Sequence, residues 1–325
     1  MKVLFIGGTG IISSACSKLA LAKGVELYHL NRGESRSIRP ISGVKNIVAD
    51  IRNVAETKAA LKNHVFDVVV QWIAFLPEHI RNDIELFADR TDQYVFISSA
   101  SIYETPPQTL PVTEETPLEN PVWEYSRNKI ACEDLLRSEF EATGFPATIV
   151  RPSHTYDKTL VPLEGGYTTL HRMKEGLPVV VHGDGSSIWT LTHHTDFAKG
   201  LVGLLGKSET INQAYHITSD EWQSWETIFL KLAKALGVEP KLVHIPSEVI
   251  ARYDRNMGDS LLGDKTHSMI FDNTKIKALV PEFEAEIPFE QGAQEIVDWY
   301  EENPDRQVID ERLNDIMDQI ISEQS

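Results

Sequence analysis

A glycine-punctuated junction at the start of the chain does most to restrict what it can fold into. Residues 2–6, Lys-Val-Leu-Phe-Ile, form an apolar run suited to one buried strand and too short for a helix. Gly7, Gly8, Thr9 and Gly10 follow, and residues 11–23 read as a helix. A strand that turns through glycines into a helix brings backbone N–H groups and a positive helix end to one point, which suits a diphosphate. The spacing of Gly7 and Gly10 allows a tight turn and close backbone approach to a ligand. Gly7, Thr9, Gly10, Ile11 and Ile12 are therefore the candidate cradle. Where a third glycine commonly stands three residues later this chain has Ser13, small enough to keep helix and strand close. Glycine turns also join strands to helices for purely structural reasons, so the rest of the chain has to decide.

Further strands are predicted over 25–30, 45–49, 66–71, 93–98 and 147–150, with helices over 54–62, 77–90 and 123–143 and a loop rich in Pro, Thr and Glu over 104–122. Strands apolar along their whole length, alternating with helices, predict a parallel sheet covered on both faces. This is the α/β, doubly wound (Rossmann) architecture that binds dinucleotides. Beyond Pro152 the pattern loosens into short strands at 178–181 and 214–217 among helices at 195–205, 225–236 and 290–301, closing with a helix over 305–325. The expected division is a dinucleotide-binding domain over 1–157, with segments returning to it from about 187–218, and a smaller C-terminal α/β region over 158–325 that mainly binds substrate.

Composition excludes several classes of function. The hydrophobic fraction is 42%, and no apolar run approaches the ~20 residues needed to span a bilayer, so no membrane association is expected. The first apolar segment is interrupted by glycines and lacks a processing site, so it does not read as a secretory signal. Cys16 and Cys132 fall in predicted helices and read as reduced core thiols of a cytoplasmic protein. A net charge of −17 repels phosphate backbones, so no nucleic-acid partner is expected. A local basic pocket for a small anionic cofactor stays open. His193 and His194 are adjacent and diverge in either a strand or a helix, while His154, His171 and His182 lack ligand spacing, so no metal site is expected.

Tyr125 and Lys129 lie four residues apart on a predicted helix and so share a face. A phenol ionises near ~10, too high for a base at neutral pH. A neighbouring ammonium lowers that value, and the same lysine can donate to a ribose hydroxyl. Tyr125 could then exchange a proton with a substrate hydroxyl while hydride passes between that carbon and nicotinamide. Such a pair arises often by chance. Here it is joined by Ser98, Ser99 and Ser101 at the C-terminal end of the fifth predicted strand, where open α/β sheets place ligands.

A glycine turn, serines ending a fifth strand and then Tyr-x-x-x-Lys together resemble the extended short-chain dehydrogenase/reductase family, the NAD-dependent epimerase/dehydratase group. The resemblance continues in Arg151-Pro152, Gly183-Asp184-Gly185, Asp196-Phe197-Ala198 and Asp298-Trp299-Tyr300. It implies a catalytic set of Ser99, Tyr125 and Lys129. Ser99 is preferred to Ser98 because it lies four residues before Tyr103, as the active hydroxyl does in the family's Ser-x-x-x-Tyr pattern. It also implies that Asp50 and Ile51 contact adenine and that Ala74 lies where the fourth strand approaches the cofactor. Many members pair through helices flanking the sheet, which implies a homodimer by analogy.

The cofactor can be narrowed. NAD enzymes usually carry an acid at the end of the second strand. Here Asn31 holds that place, followed by Arg32, with Arg36 and Arg39 nearby. Asn beside Arg accepts a 2′-phosphate that a carboxylate would repel, so NADP is preferred over NAD. Other positions depart from the family. The Asp-Glu pair of sugar-nucleotide dehydratases is replaced by Ala100 and Ser101, and an arginine that binds the substrate diphosphate in epimerases is replaced by Trp189. His154 and Glu104 stand where asparagine and glycine are usual. These features resemble an atypical branch that includes chloroplast stem-loop-binding proteins. The expected function is an NAD(P)-dependent oxidoreductase or epimerase acting on a secondary alcohol or ketone of a sugar-like small molecule. The alternative is a non-catalytic NAD(P)-binding sensor.

Overall fold

A computed structural model describes residues 1–33, 39 and 41–324. Its central strand is β1 (Lys2–Ile6), in which Val3, Leu4, Phe5 and Ile6 are all fully buried. Side chains alternate across a strand. Val3 and Phe5 accordingly join a core on one face with Cys16, Phe197 and Leu201, while Leu4 and Ile6 join a core on the other with Ile80, Phe87 and Leu136. A strand covered on both sides has no place for a polar residue, which is why the run reads as continuously apolar.

The elements that follow are α1 (Ile11–Ala22), β2 (Glu26–Asn31), β3 (Lys45–Val48), α2 (Val54–Ala60), β4 (Phe66–Gln71), α3 (Pro77–Phe87), β5 (Thr91–Ile97), α4 (Glu124–Thr143) and β6 (Ala147–Pro152). The second half holds β7 (His154–Tyr156), α5 (Tyr167–Lys174), β8 (Pro178–His182), β9 (Ile188–Trp189), β10 (Leu191–His193), α6 (His194–Leu204), β11 (Ala214–Ile217), β12 (Gln223–Ser224), α7 (Trp225–Leu236) and β13 (Lys241–Ile245). It ends with α8 (Ser247–Tyr253), α9 (Arg255–Ser260), a π turn (Leu261–Lys265), α10 (Thr274–Leu279), α11 (Phe289–Glu302) and α12 (Glu311–Gln324).

Seven parallel strands form the main sheet in the order β3-β2-β1-β4-β5-β6-β11, the doubly wound fold expected. The order reverses between β1 and β4, and ligands of such sheets bind outside the strand ends at that point. Within the 187–218 segment, β11 joins the sheet, pairing with β6 from Ala214 opposite Ile149, and α6 packs Phe197 and Leu201 against Val3 and Phe5 on one sheet face. β9 and β10 instead pair with β12 and β7, and β8 pairs with β13. The 305–325 helix begins later than expected. Asp310 accepts from the Leu313 N–H at 3.1 Å and thereby caps a fresh start. Both cysteines are buried and unbridged. Among the described residues no helix is long and apolar enough to cross a membrane.

The turn after β1 is fixed by close packing. Gly7 has a φ of +88°, and a Cβ there would stand 2.6 Å from Ile73 Cγ2. A Cβ on Gly8 would overlap the buried His29 ring, which Ser17 Oγ holds at 2.8 Å. Burial pushes that imidazole down to about 4, so it is a neutral packing group. Gly8→Ala must displace it and is expected to cost about 1–3 kcal/mol, read as a lower midpoint in denaturant unfolding. An unchanged midpoint would show that the ring yields freely.

Candidate active site

The turn feeds a site built upward from the start of α1. Ser13, in the place of a third glycine, accepts the Gly10 N–H at 2.8 Å and donates to the Gly7 carbonyl at 3.0 Å. Its hydroxyl laces the turn together. The amides of Ile11 and Ile12 lie in the first turn of a twelve-residue helix, where no intrahelical carbonyl reaches them. No acidic side chain stands in that turn to cancel the positive helix end. A cleft of about 300 Å³ begins at Gly7, Gly10, Ile11 and Ile12 and runs to Tyr125 and Lys129. Thr9 completes the turn without forming part of the cleft wall. The residues present suit a dinucleotide, with amides and a helix end for phosphates and apolar walls at Trp72 and Ile73.

α4 delivers the two candidate catalytic side chains. Lys129, 1% exposed, donates to the carbonyls of Ala74 and Ile97, both at 2.8 Å. Its ammonium also lies 4.8 Å from the Phe75 ring and 4.7 Å from the Phe96 ring. Ala74 itself is fully buried and contributes that carbonyl. Burial outweighs these contacts and pushes Lys129 down to about 8, still protonated at neutral pH. Tyr125 packs between Trp123 at 5.0 Å and Phe75 at 6.4 Å. Its phenol differs from the sequence expectation. Burial pushes it up to about 12, Ser99 opposes that by favouring the ionised form, and Asp264 adds to it. The lysine does not lower it because its Nζ, 5.8 Å from the tyrosine ring centre, is turned to backbone carbonyls.

A second cavity, about 250 Å³, adjoins the first through Tyr125 and Pro152 and is walled by Ser99, Ser101, His154, Trp189 and Asp264. Ser99 Oγ lies 2.9 Å from Ser101 Oγ, which accepts from Ser126 Oγ at 2.8 Å. Ser98 lines the first cleft instead. The adjacent serines thus serve different compartments, and Ser99 is the one facing the second cavity. Burial pushes His154 down to about 3, so it enters as a neutral ring. Asp264 comes from the π turn, 139 residues beyond Tyr125 in sequence; periodicity gives no sign of it.

The sequence profile of the NAD dependent epimerase/dehydratase family matches residues 3–218. The chain belongs to that family. Its similarity to a chloroplast stem-loop binding protein of 41 kDa from Arabidopsis thaliana is 26% identity over 257 residues, 75% of this chain and 65% of the relative. A UDP-glucose 4-epimerase from Lactobacillus helveticus is 28% identical over 171 residues, 46% of this chain and 51% of that one. The chain therefore spans between half and two thirds of the length of these curated relatives. In three dimensions it is similar to a UDP-glucose 4-epimerase of Thermus thermophilus solved with NAD, with a TM-score of 0.74, 21% identity and coverage of 93% of this chain and all of that one.

The remaining predicted contacts of this epimerase/dehydratase-family chain, Asn31, Arg32, Asp50 and Ile51, are not part of the wall of the first cleft. Asn31 ends β2 with Oδ1 accepting the Gly33 N–H at 2.9 Å and Nδ2 donating to Asn46 at 3.2 Å. Arg32 follows it, and Arg36 lies outside the described residues. Arg39, grouped with them in sequence, is committed elsewhere, since its Nε lies 2.6 Å from Asp157 Oδ2. Asp50 Oδ1 accepts the Arg52 N–H at 2.9 Å, which fixes the loop after β3, and Ile51 is buried beneath it. Trp189, at the family's arginine position, is 4% exposed and packs against Trp225 at 5.7 Å, so an aromatic face stands where a cation was usual.

Proposed function

We propose that this chain is an NAD(P)-dependent oxidoreductase or epimerase acting on a secondary alcohol or ketone of a sugar-like substrate, with Tyr125 as the acid/base. The supporting observation is that Tyr125 is a common wall of two adjoining cavities, one starting at the glycine turn and the other at Ser99. Bound nicotinamide would supply or accept the hydride. Ile11 and Ile12 would hold phosphate through their amides. Lys129 would offer its remaining N–H to a ribose hydroxyl, since two of its three donors are used by Ala74 and Ile97. Ser99 would orient the substrate oxygen, and the protonated phenol of Tyr125 would donate to that oxygen as a ketone is reduced. An epimerase would retain its dinucleotide through gel filtration, whereas a reductase would exchange it. Turnover of keto-sugars followed by nicotinamide absorbance tests the reading. Failure to oxidise or epimerise any sugar-like alcohol, with no reduction of the matching ketones, would refute it.

The cofactor reading extends to NADP. Asn31 places an amide where a carboxylate would repel a 2′-phosphate, and Arg32 follows directly. Fluorescence titration is expected to give NADPH an affinity about tenfold above NADH. Equal affinities, or tighter NADH, would reject the preference.

A further inference from the structure

We infer that the second cavity selects a substrate carrying a positively charged amino group, with the Asp264 carboxylate as its partner; the inference rests on reading that cavity as the substrate site. The π turn at Leu261–Lys265 brings Asp264 and Lys265 to its wall, and π turns commonly mark sites where a helix has been bent to aim a side chain. Asp264 is 9% exposed, yet its carboxylate accepts no hydrogen bond from any described residue. Lys265 is the one charge that favours the ionised form, but its ammonium forms no hydrogen bond to Asp264: it donates to Ser260 Oγ and lies 3.4 Å from Glu164 Oε1, whose charge works against Asp264. An unpaired carboxylate in such a place is costly, and burial duly pushes Asp264 up to about 7. A site tolerates that cost when a ligand completes the pair.

Lys265 is a cation on this wall, with its ammonium held by Ser260 and Glu164 and 5.8 Å from the Trp123 ring centre. His154 is neutral and adds no second positive charge. Trp123, Trp189 and Phe271 supply aromatic faces that pack against a sugar ring and attract a cation. Trp189 fills the position from which an arginine would have met a diphosphate, so a doubly anionic substrate would find Asp264 with no arginine beside it. The net charge of −17 raises the local concentration of cations and lowers that of anions.

The test uses the full chain saturated with NADP and three probes that differ only in charge and bulk at one carbon: glucosamine, N-acetylglucosamine and glucose. Binding is read by tryptophan fluorescence. Glucosamine is expected to bind about tenfold more tightly than either neutral sugar, and Asp264→Asn is expected to erase that preference. The variant removes a buried, unpaired charge, so its unfolding temperature at pH 8 should equal or exceed that of the wild type. Failure of glucosamine to bind, equal affinity for the three sugars, or a preference that survives Asp264→Asn would each overturn the inference. The wild-type comparison alone suffices for the first two. Tyr125→Phe separates this inference from the reading beneath it: amine preference with no turnover in any variant would sink hydride transfer alone, and turnover of neutral sugars without amine preference would sink the role of Asp264 alone.

Discussion

Tyr125→Phe is expected to reduce turnover by about 10³-fold while leaving cofactor affinity and unfolding temperature near those of the wild type. A positioned acid or base contributes typically about 10²–10⁴ in rate, and about 10³ corresponds to roughly 4 kcal/mol of transition-state stabilisation. The variant deletes one oxygen. The ring, which packs on Trp123 and Phe75, stays in place, and Lys129 keeps its bonds to Ala74 and Ile97. The pH profile gives a second readout. With the phenol pushed up to about 12, it stays protonated through neutrality, so ketone reduction should be flat with pH there. Lys129, pushed down to about 8, loses its charge first as pH rises, so reduction should decline above about pH 8 and long before the phenol titrates. In the oxidative direction the rate should climb with pH as the phenolate fraction grows. Wild-type turnover by the phenylalanine variant would remove Tyr125 from the chemistry.

The parts of this site that could be read from sequence are those where backbone or helix geometry forces a residue choice locally. Gly7 must be glycine because its φ is +88° and Ile73 crowds it, so the turn announces itself. Tyr125 and Lys129 announce themselves because four residues on α4 bring side chains to one face. β1 and β4 are legible because burial on both faces leaves the apolar runs Val3–Ile6 and Val68–Val70 at their centres. What escapes depends on distant chain segments. The pairs β9 with β12 and β7 with β10 are two or three residues long, too short for any period. Asp264 reaches the cavity through a π turn that no hydrophobic pattern encodes. Arg39 looked like part of a phosphate site until Asp157, 118 residues away, claimed it. The phenol of Tyr125 moved up rather than down because enclosure by Trp123, Phe75 and the second cavity outweighs a charge whose donors are spent elsewhere. The last helix starts at Glu311 rather than at 305, because Asp310 caps it and the expected span ran past that residue.

Glu133→Leu is expected to be the most destabilising single change considered, costing about 3–5 kcal/mol. Glu133 on α4 and Arg151 on β6 form a fork, with Nη2 to Oε2 at 2.7 Å and Nε to Oε1 at 3.1 Å, and neither side chain is more than 1% exposed. Burial opposes the guanidinium charge, but Glu133 more than compensates and raises its proton affinity. Arg151 then continues to Tyr103 Oη and the Glu114 carbonyl, both at 3.1 Å, and Tyr103 Oη lies 3.1 Å from His216 Nδ1 on β11. This network ties the edge strand β11, the strand ending in Pro152 and the turn carrying Ser99 to the helix carrying Tyr125. Loss of the carboxylate strands a buried cation that cannot shed its proton, so the cost comes chiefly from the partner left behind. The double variant Glu133→Leu with Arg151→Met removes both charges and should recover much of the loss, giving a coupling of about 1–3 kcal/mol in a double-mutant cycle. Because Pro152 borders both cavities, the single variant should also weaken dinucleotide binding before it unfolds, and the double variant should restore it in part. Unfolding midpoints for Glu133→Leu equal to wild type, or a double variant no better than the sum of the singles, would mean that the pair is solvated in solution and holds nothing together.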